Sequence, residues 1–238
     1  MDLSHQVSRA IAINRDKQLE TVQACRTGDH QHKYRLGIMG GTFDPIHYGH
    51  LVTAETSRWK FGLDKVVFMP TGQPPHKPDR IISAAEHRYR MSLLATFNNA
   101  YFLVSRLEID RPGYSYTIDT VKEILRQVGP HVDLFFITGA DAVLEILSWK
   151  NVQELVELCT FIAANRPGFD LSEPSLSGQQ PKSLIQQIKT IEVPSLAISS
   201  TEIRHRIIAG HSIRYLLPES VEEYIKRHQL YRDGINID

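Results

Sequence analysis

From Tyr34 onward the chain alternates short apolar runs with longer helix-like stretches, and no other feature restricts its fold as strongly. The runs Leu36–Met39, Lys65–Met69, Tyr101–Ser105, Val132–Thr138, Cys159–Ala164 and Lys189–Val193 are rich in β-branched, leucine or aromatic residues, the side chains that pack well on a pleated surface. Helices are predicted over His50–Phe61, Ala84–Phe97, Thr117–Val128, Ala142–Leu147, Val152–Leu158, Ser200–Ala209 and Glu219–Arg227. Several open on Ser, Thr or Pro and close near Gly. Such alternation is the sequence form of an α/β chain with an open parallel sheet covered by helices on both faces. Residues 34–238 are read as a single domain of this kind. Residues 1–33 differ: they are polar, of mixed charge and free of strand-like runs. The weak spacing of Val7, Ala10, Ile11 and Leu19 allows a loose helix, and the reading adopted is a flexible N-terminal extension without assigned function.

Charge and cysteine content narrow the function classes. Lys plus Arg equals Asp plus Glu, 27 of each, so no overall basic field exists to bind nucleic acid nonspecifically. An anion site must be built locally. Cys25 and Cys159 are too few and too far apart for a disulfide framework or a four-cysteine zinc site, which suits a reducing, cytoplasmic compartment. No apolar run approaches the roughly 20 residues of a membrane span, so neither membrane nor nucleic acid is expected as a partner, while a homo-oligomer is left open. The loops richest in Pro, Gly and Ser, Pro70–Ser83 and Pro167–Ser183, are read as mobile or lid segments.

The stretch Gly37–Leu51, GIMGGTFDPIHYGHL, runs from an apolar strand through Gly40 and Gly41 into a polar turn and a helix. Glycines without side chains let a phosphate approach the backbone, and the helix start adds N–H donors and a positive dipole end. His47 and His50, three apart, fall on one side of the first turn, where both imidazoles can donate to phosphate oxygens. The stretch is neither a Walker A loop nor a GxGxxG fingerprint. Zinc ligation lacks a third ligand, so no metal site is assigned. By themselves the two histidines are equally readable as capping and packing groups of a βα turn.

The eleven residues GGTFDPIHYGH, Gly40–His50, resemble the signature of the HxGH nucleotidyltransferase superfamily, and in their fuller form that of the bacterial-type nicotinate-mononucleotide adenylyltransferases. Ile46 stands where many members have a second proline. The resemblance extends over roughly Tyr34–Arg232 and implies a Rossmann-like sheet binding ATP through Gly40, Gly41, Thr42, Phe43, His47 and His50. A second segment, ISSTEIR from Ile198 to Arg204, resembles the SSTxIR motif that grips ATP phosphates from the opposite side, which implicates Ser199, Ser200, Thr201 and Arg204. Read alone, those residues are a Ser/Thr cap followed by a solvent-facing arginine.

The same resemblance places the pyridine nucleotide. RPGYSYTIDT, Arg111–Thr120, puts Tyr116 and Thr117 where the nicotinate group is held, although Thr117 can equally cap its helix. FFITGADAVLEILSWKN, Phe135–Asn151, implies that Gly139 and Asp141 face the nucleotides and that Trp149 stacks on the pyridine ring. A lone tryptophan is otherwise more often core. PPHKPD offers Lys77 toward the substrates, ANRPG offers Arg166 toward ATP, and Arg88 fits the pattern or serves in an ion pair.

The expected reaction is adenylyl transfer from ATP to nicotinate mononucleotide, giving nicotinate adenine dinucleotide and pyrophosphate in NAD biosynthesis. His47, His50 and Arg204 are expected to act on the phosphates. Magnesium is expected to arrive as Mg-ATP, because Asp44 is the sole carboxylate close to the motif. The alternatives are a nicotinamide-mononucleotide or pantetheine-phosphate adenylyltransferase, a cytidylyltransferase, and a noncatalytic nucleotide sensor. A fragment of a class I aminoacyl-tRNA synthetase would require a KMSKS-like string that is absent.

Overall fold

The computed structural model describes residues 2–27, 33–74, 82–139, 149–165, 188–194 and 196–232. Its strands are β1 (Tyr34–Gly41), β2 (Lys65–Pro70), β3 (Phe102–Val104), β4 (Val132–Gly139), β5 (Thr160–Asn165) and β6 (Ile188–Glu192). Helices α1 (Leu3–Thr27), α2 (Tyr48–Phe61), α3 (Ala85–Thr96), α4 (Thr117–Val128), α5 (Val152–Leu158), α6 (Ser200–Ile208) and α7 (Glu219–Arg227) surround them. Each strand expected from the sequence lies within an observed one or overlaps it. The helix expected over Ala142–Leu147, residues 75–81 of the first Pro/Gly-rich loop and the whole of the second lie outside the described residues.

All six strands are parallel, in the order β3-β2-β1-β4-β5-β6. The chain therefore runs outward from β1 to one edge, returns, and builds the other half from β4. That reversal leaves a crevice beyond the carboxyl ends of β1 and β4, where ligands of open α/β sheets bind. Register fixes its floor: Gly40 lies opposite Met69 on β2, and Met39 opposite Ile137 on β4.

The alternation of side chains along the strands fills two cores. On one face Met39, Phe68, Val104, Ile137 and Ile162 pack with Ala54 of α2, Leu93 of α3, Ile203 of α6 and Val221 of α7. On the other, Ile38, Val67, Phe136 and Phe161 pack with Ile118, Val121 and Ile124 of α4 and Leu155 of α5. The spacing of the α4 residues along one helical stripe explains why that helix was readable to the residue. Central strands buried on both sides read as continuous apolar runs, as β1, β2, β4 and β5 do here.

The expectation of a flexible extension is corrected for residues 3–27, which form a 25-residue helix with buried Leu3, Ala10, Asn14, Thr21 and Cys25. Leu3 and Ala10 belong to the first core and Cys25 to the second, so α1 crosses the β3 edge of the sheet. Its polar residues do what an additional strand would do. The Asn14 amide accepts from the Val104 N–H at 2.7 Å and donates to the Val104 carbonyl at 2.9 Å, and Gln18 donates to that same carbonyl at 2.7 Å. Lys17 donates to the carbonyls of Phe97 and Asn99 just past the end of α3, where a cation also complements the helix dipole. An exposed edge carries unsatisfied backbone groups, and α1 satisfies them with side chains. Hydropathy misses this because the anchoring residues are polar.

Candidate nucleotide site at the β1–α2 turn

Strand β1 ends at Gly40 and Gly41, on the crevice floor. A Cβ on Gly40 would stand 2.9 Å from the Phe136 ring, and one on Gly41 2.8 Å from the Phe43 ring. The glycines thus let two aromatic rings close on the strand end, in addition to baring backbone. Phe43 is buried with φ 52°, a left-handed conformation unfavourable for a bulky residue, and it packs against Phe68 and edge-on against His50. Strain of this kind persists where the surroundings over-determine it, and it clusters at ligand sites.

His47 is the N-cap of α2 and His50 lies in its first turn. Their rings stack with centroids 3.8 Å apart and planes 28° from parallel. A Cβ on Gly49 would approach the His47 ring to 2.9 Å, so the glycine between the histidines makes room for that ring. His50 Nδ1 accepts the His47 backbone N–H at 3.2 Å. In a neutral imidazole that leaves the proton on Nε2, as a donor. Burial, and secondarily the neighbouring His47, holds the His50 pKa well below the ordinary imidazole value. His50 is therefore a neutral donor with a fixed tautomer at neutral pH, not a cation.

The N-terminus of α6 meets this turn directly. Ser199 caps the helix by accepting the Glu202 N–H at 3.1 Å, Ser200 Oγ donates to the Pro45 carbonyl at 2.9 Å, and buried Arg204 donates to the Asp44 carbonyl at 2.8 Å and to Thr201 Oγ1 at 3.2 Å. Residues more than 150 positions apart thus share one corner of the crevice. Arg204 is not the solvent-facing arginine that its helix position alone would suggest. Asp44 is likewise engaged: its carboxylate accepts from Tyr231 Oη at 2.6 Å and from the Ser83 N–H at 3.1 Å. The carboxylate that the sequence offers for a metal is committed to protein donors.

The mononucleotide candidates lie on the β4 and α4 side. Tyr116 is the N-cap residue of α4 and Thr117 its first residue. Trp149 packs edge-on against Phe136 at 5.7 Å, at the border of the second core. Lys150, which sequence reading passed over, places its ammonium 4.4 Å from the Tyr116 ring centroid. Gly139 ends β4, and among the described residues nothing lies within 4 Å of where its Cβ would stand. Lys77, Asp141 and Arg166 lie outside the described residues.

A further buried group was missed. Glu108 accepts from Thr120 Oγ1 at 2.7 Å, and Thr120 in turn accepts from Arg111 at 2.9 Å. Burial pushes the Glu108 pKa up, against the pull of Thr120 and Arg111. An acid isolated in a loop carries no periodic signal. Tyr231, equally, gives no hint in sequence that its hydroxyl reaches Asp44. Among the described residues Arg88 hydrogen-bonds to no carboxylate, unlike the ion-pair alternative: its guanidinium donates to the carbonyls of Ser83, Thr42, Thr71 and Gly72.

Comparison with known proteins places this geometry. Residues 38–206 match the family model described as cytidylyltransferase-like. A curated protein of Moorella thermoacetica named "Probable nicotinate-nucleotide adenylyltransferase" is 60% identical over 205 residues, covering 84% of this chain and 94% of that protein. One of the same name from a Thermoanaerobacter species is 55% identical over 203 residues, covering 85% and 96%. Among solved structures, Plasmodium falciparum nicotinic acid mononucleotide adenylyltransferase complexed with NaAD superposes with a TM-score of 0.68 at 23% identity, covering 86% of this chain and 100% of that one. At that identity the superposition speaks for the fold.

Proposed function

The chain belongs to the cytidylyltransferase-like family and, within it, to the nicotinate-nucleotide adenylyltransferases, and on that premise we propose that its crevice joins nicotinate mononucleotide to the AMP part of ATP in NAD biosynthesis. The observation that carries this reading is the junction of the β1–α2 turn with α6, through Ser200 to Pro45 and Arg204 to Asp44, at the end of β1. Two helix N-termini and a buried guanidinium converge there, and such a corner suits a polyphosphate.

The reaction is an in-line displacement. A phosphate oxygen of the mononucleotide forms a bond to the α-phosphorus of ATP as the bond from that phosphorus to the bridging oxygen of the β-phosphate breaks, and pyrophosphate carries away the electron pair. The nucleophile is already an anion at neutral pH, so the protein needs neither a covalent intermediate nor a general base. Its work is alignment and charge stabilisation. His50 donates through Nε2 to the phosphates, with His47 stacked on it. Ser199, Ser200, Thr201 and the α6 N–H groups face the departing pyrophosphate, while Arg204 lends positive charge from beneath the turn. Gly40, Gly41, Thr42 and Phe43 form the floor under ATP, and Gly139, Asp141 and Arg166 complete its surroundings.

Tyr116, Thr117, Trp149 and Lys77 take the mononucleotide. Lys150 adds a cation beside Tyr116, which favours a nicotinate carboxylate over an uncharged amide. Magnesium travels as Mg-ATP, since Asp44 is held by Tyr231 and Ser83. We place the protein in the cytoplasm. The deciding experiment supplies ATP with nicotinate or nicotinamide mononucleotide separately and measures dinucleotide and pyrophosphate. Preferential formation of nicotinate adenine dinucleotide is expected, and release of no pyrophosphate with either would end this reading.

A further inference from the structure

Arg88 is 2% exposed and stands in the first turn of α3, yet it reaches back under the crevice. Nε donates to the Ser83 carbonyl at 2.9 Å, Nη1 to Thr42 at 2.9 Å and Thr71 at 2.6 Å, and Nη2 to Gly72 at 3.2 Å. Four carbonyls from three chain segments thus share one planar, forked cation. Thr42 belongs to the phosphate turn. Thr71 and Gly72 belong to the segment leaving β2, itself joined to β1 where the Thr71 N–H donates to the Gly41 carbonyl at 2.9 Å.

That β2 segment is in turn the seat of the mononucleotide loop. A Cβ on Gly72 would stand 2.2 Å from the Glu108 carbonyl oxygen and 3.0 Å from Ser115 Oγ, so the two backbones touch. The Ser115 N–H donates to the Gln73 carbonyl at 2.9 Å, and Gln73 bridges to Tyr114. Glu108 holds Thr120 in the first turns of α4. Tyr116 and Thr117 lie between these ties. A continuous path therefore runs from the ATP turn through Arg88 and Gly72 to the helix start assigned to the pyridine nucleotide.

We propose that Arg88 is a positioning residue that sets the separation between the ATP half and the mononucleotide half of the crevice, a role that rests on the adenylyltransferase reading above. The guanidinium is occupied by backbone carbonyl oxygens, so it acts through the segments it holds. Its effect is on the distance and angle between attacking phosphate and α-phosphorus, to which an in-line transfer is most sensitive. Lysine cannot substitute, because an ammonium has three donors and no fixed fork.

The test uses the full chain and two variants, Arg88→Lys and Gly72→Ala, the second of which wedges the same joint without touching the guanidinium. For each, kcat and both KM values are measured with ATP and nicotinate mononucleotide, binding of each substrate alone is measured by calorimetry, and folding is checked by melting. Positioning predicts kcat lower by about 10- to 100-fold, the scale expected of a displacement near 1 Å, with single-substrate affinities within about threefold of wild type. A folded Arg88→Lys protein with wild-type kcat overturns the proposal. So does loss of binding of either substrate alone, or failure of both variants to fold, since Arg88 would then hold one half-site or the whole fold and not the spacing. Wild-type protein that makes no dinucleotide overturns the functional reading instead.

Discussion

The β1–α2 turn carries its chemistry in eleven contiguous residues, Gly40–His50, whereas α1 is fixed to the sheet by Asn14, Lys17 and Gln18, whose backbone partners lie 80 to 90 positions away. In the turn each residue type answers a local demand: glycine where rings close in, histidine where a neutral donor is needed. In α1 the same generic polar residues would serve equally on a solvated helix. The first region therefore announces itself in sequence and the second does not, although both rest on hydrogen bonds to backbone. If the proposed mechanism holds, activity belongs to the turn and stability to the helix, and mutation should separate the two.

The largest effect is expected at the turn. In the proposed mechanism His50→Ala removes a donor to the phosphates, and it should lower kcat by about 100- to 1,000-fold while leaving the melting temperature within a few degrees of wild type. Wild-type turnover in the folded variant would take His50 out of the mechanism and erase the contrast.

Asn14→Ala should do the reverse. It strips the paired donor and acceptor from Val104, whose carbonyl retains Gln18 but whose N–H retains nothing of the Asn14 amide. A loss of about 2 kcal/mol is expected, read as a melting shift of about 4–8 °C, with kcat unchanged. Lowered kcat at unchanged stability would show that α1 acts on the site.

A smaller effect sharpens the electrostatic side. Because the folded His50 pKa lies well below its unfolded value, the unfolded chain takes up a proton that the folded chain refuses as pH falls below about 6.5. Stability linked to His50 is thus complete above that pH. It declines on acidification by up to about 1.4 kcal/mol per pH unit until the folded pKa is reached. Replacing His50 by Gln should flatten that part of the stability profile between about pH 6.5 and 5, and chemical denaturation across this range measures it. An unchanged profile would mean that His50 titrates normally.

The smallest effect expected is at Trp149. Its edge-on contact with Phe136 leaves it at the border of the core, and Trp149→Ala should weaken mononucleotide binding by about 1 kcal/mol, several-fold in KM, with the KM for ATP unchanged. Equal changes in both would mark Trp149 as packing alone.

The strands and most helices were legible because β1, β2, β4 and β5 are buried on both faces and α4 and α7 bury a single stripe, patterns that hydropathy records directly. The phosphate turn was legible for the reason already given. Tyr231, Glu108 and the acceptors of Arg88 were not, since each works through a partner distant in sequence and none belongs to a periodic pattern. Arg204 was readable as a motif residue, but its burial against the Asp44 carbonyl was not.

Sequence by itself determined the parallel α/β architecture and the chemical character of the first turn, because periodicity and contiguous motifs are local properties of a chain. Tertiary structure alone decided that α6 closes on that turn, that Asp44 is held by Tyr231 and Ser83, that the Arg88 guanidinium gathers carbonyls from three chain segments, and that the first helix seals the sheet edge. Those contacts join groups whose meeting depends on strand order and register, and a hydrogen bond to a backbone carbonyl leaves no mark on the identity of the residue that accepts it.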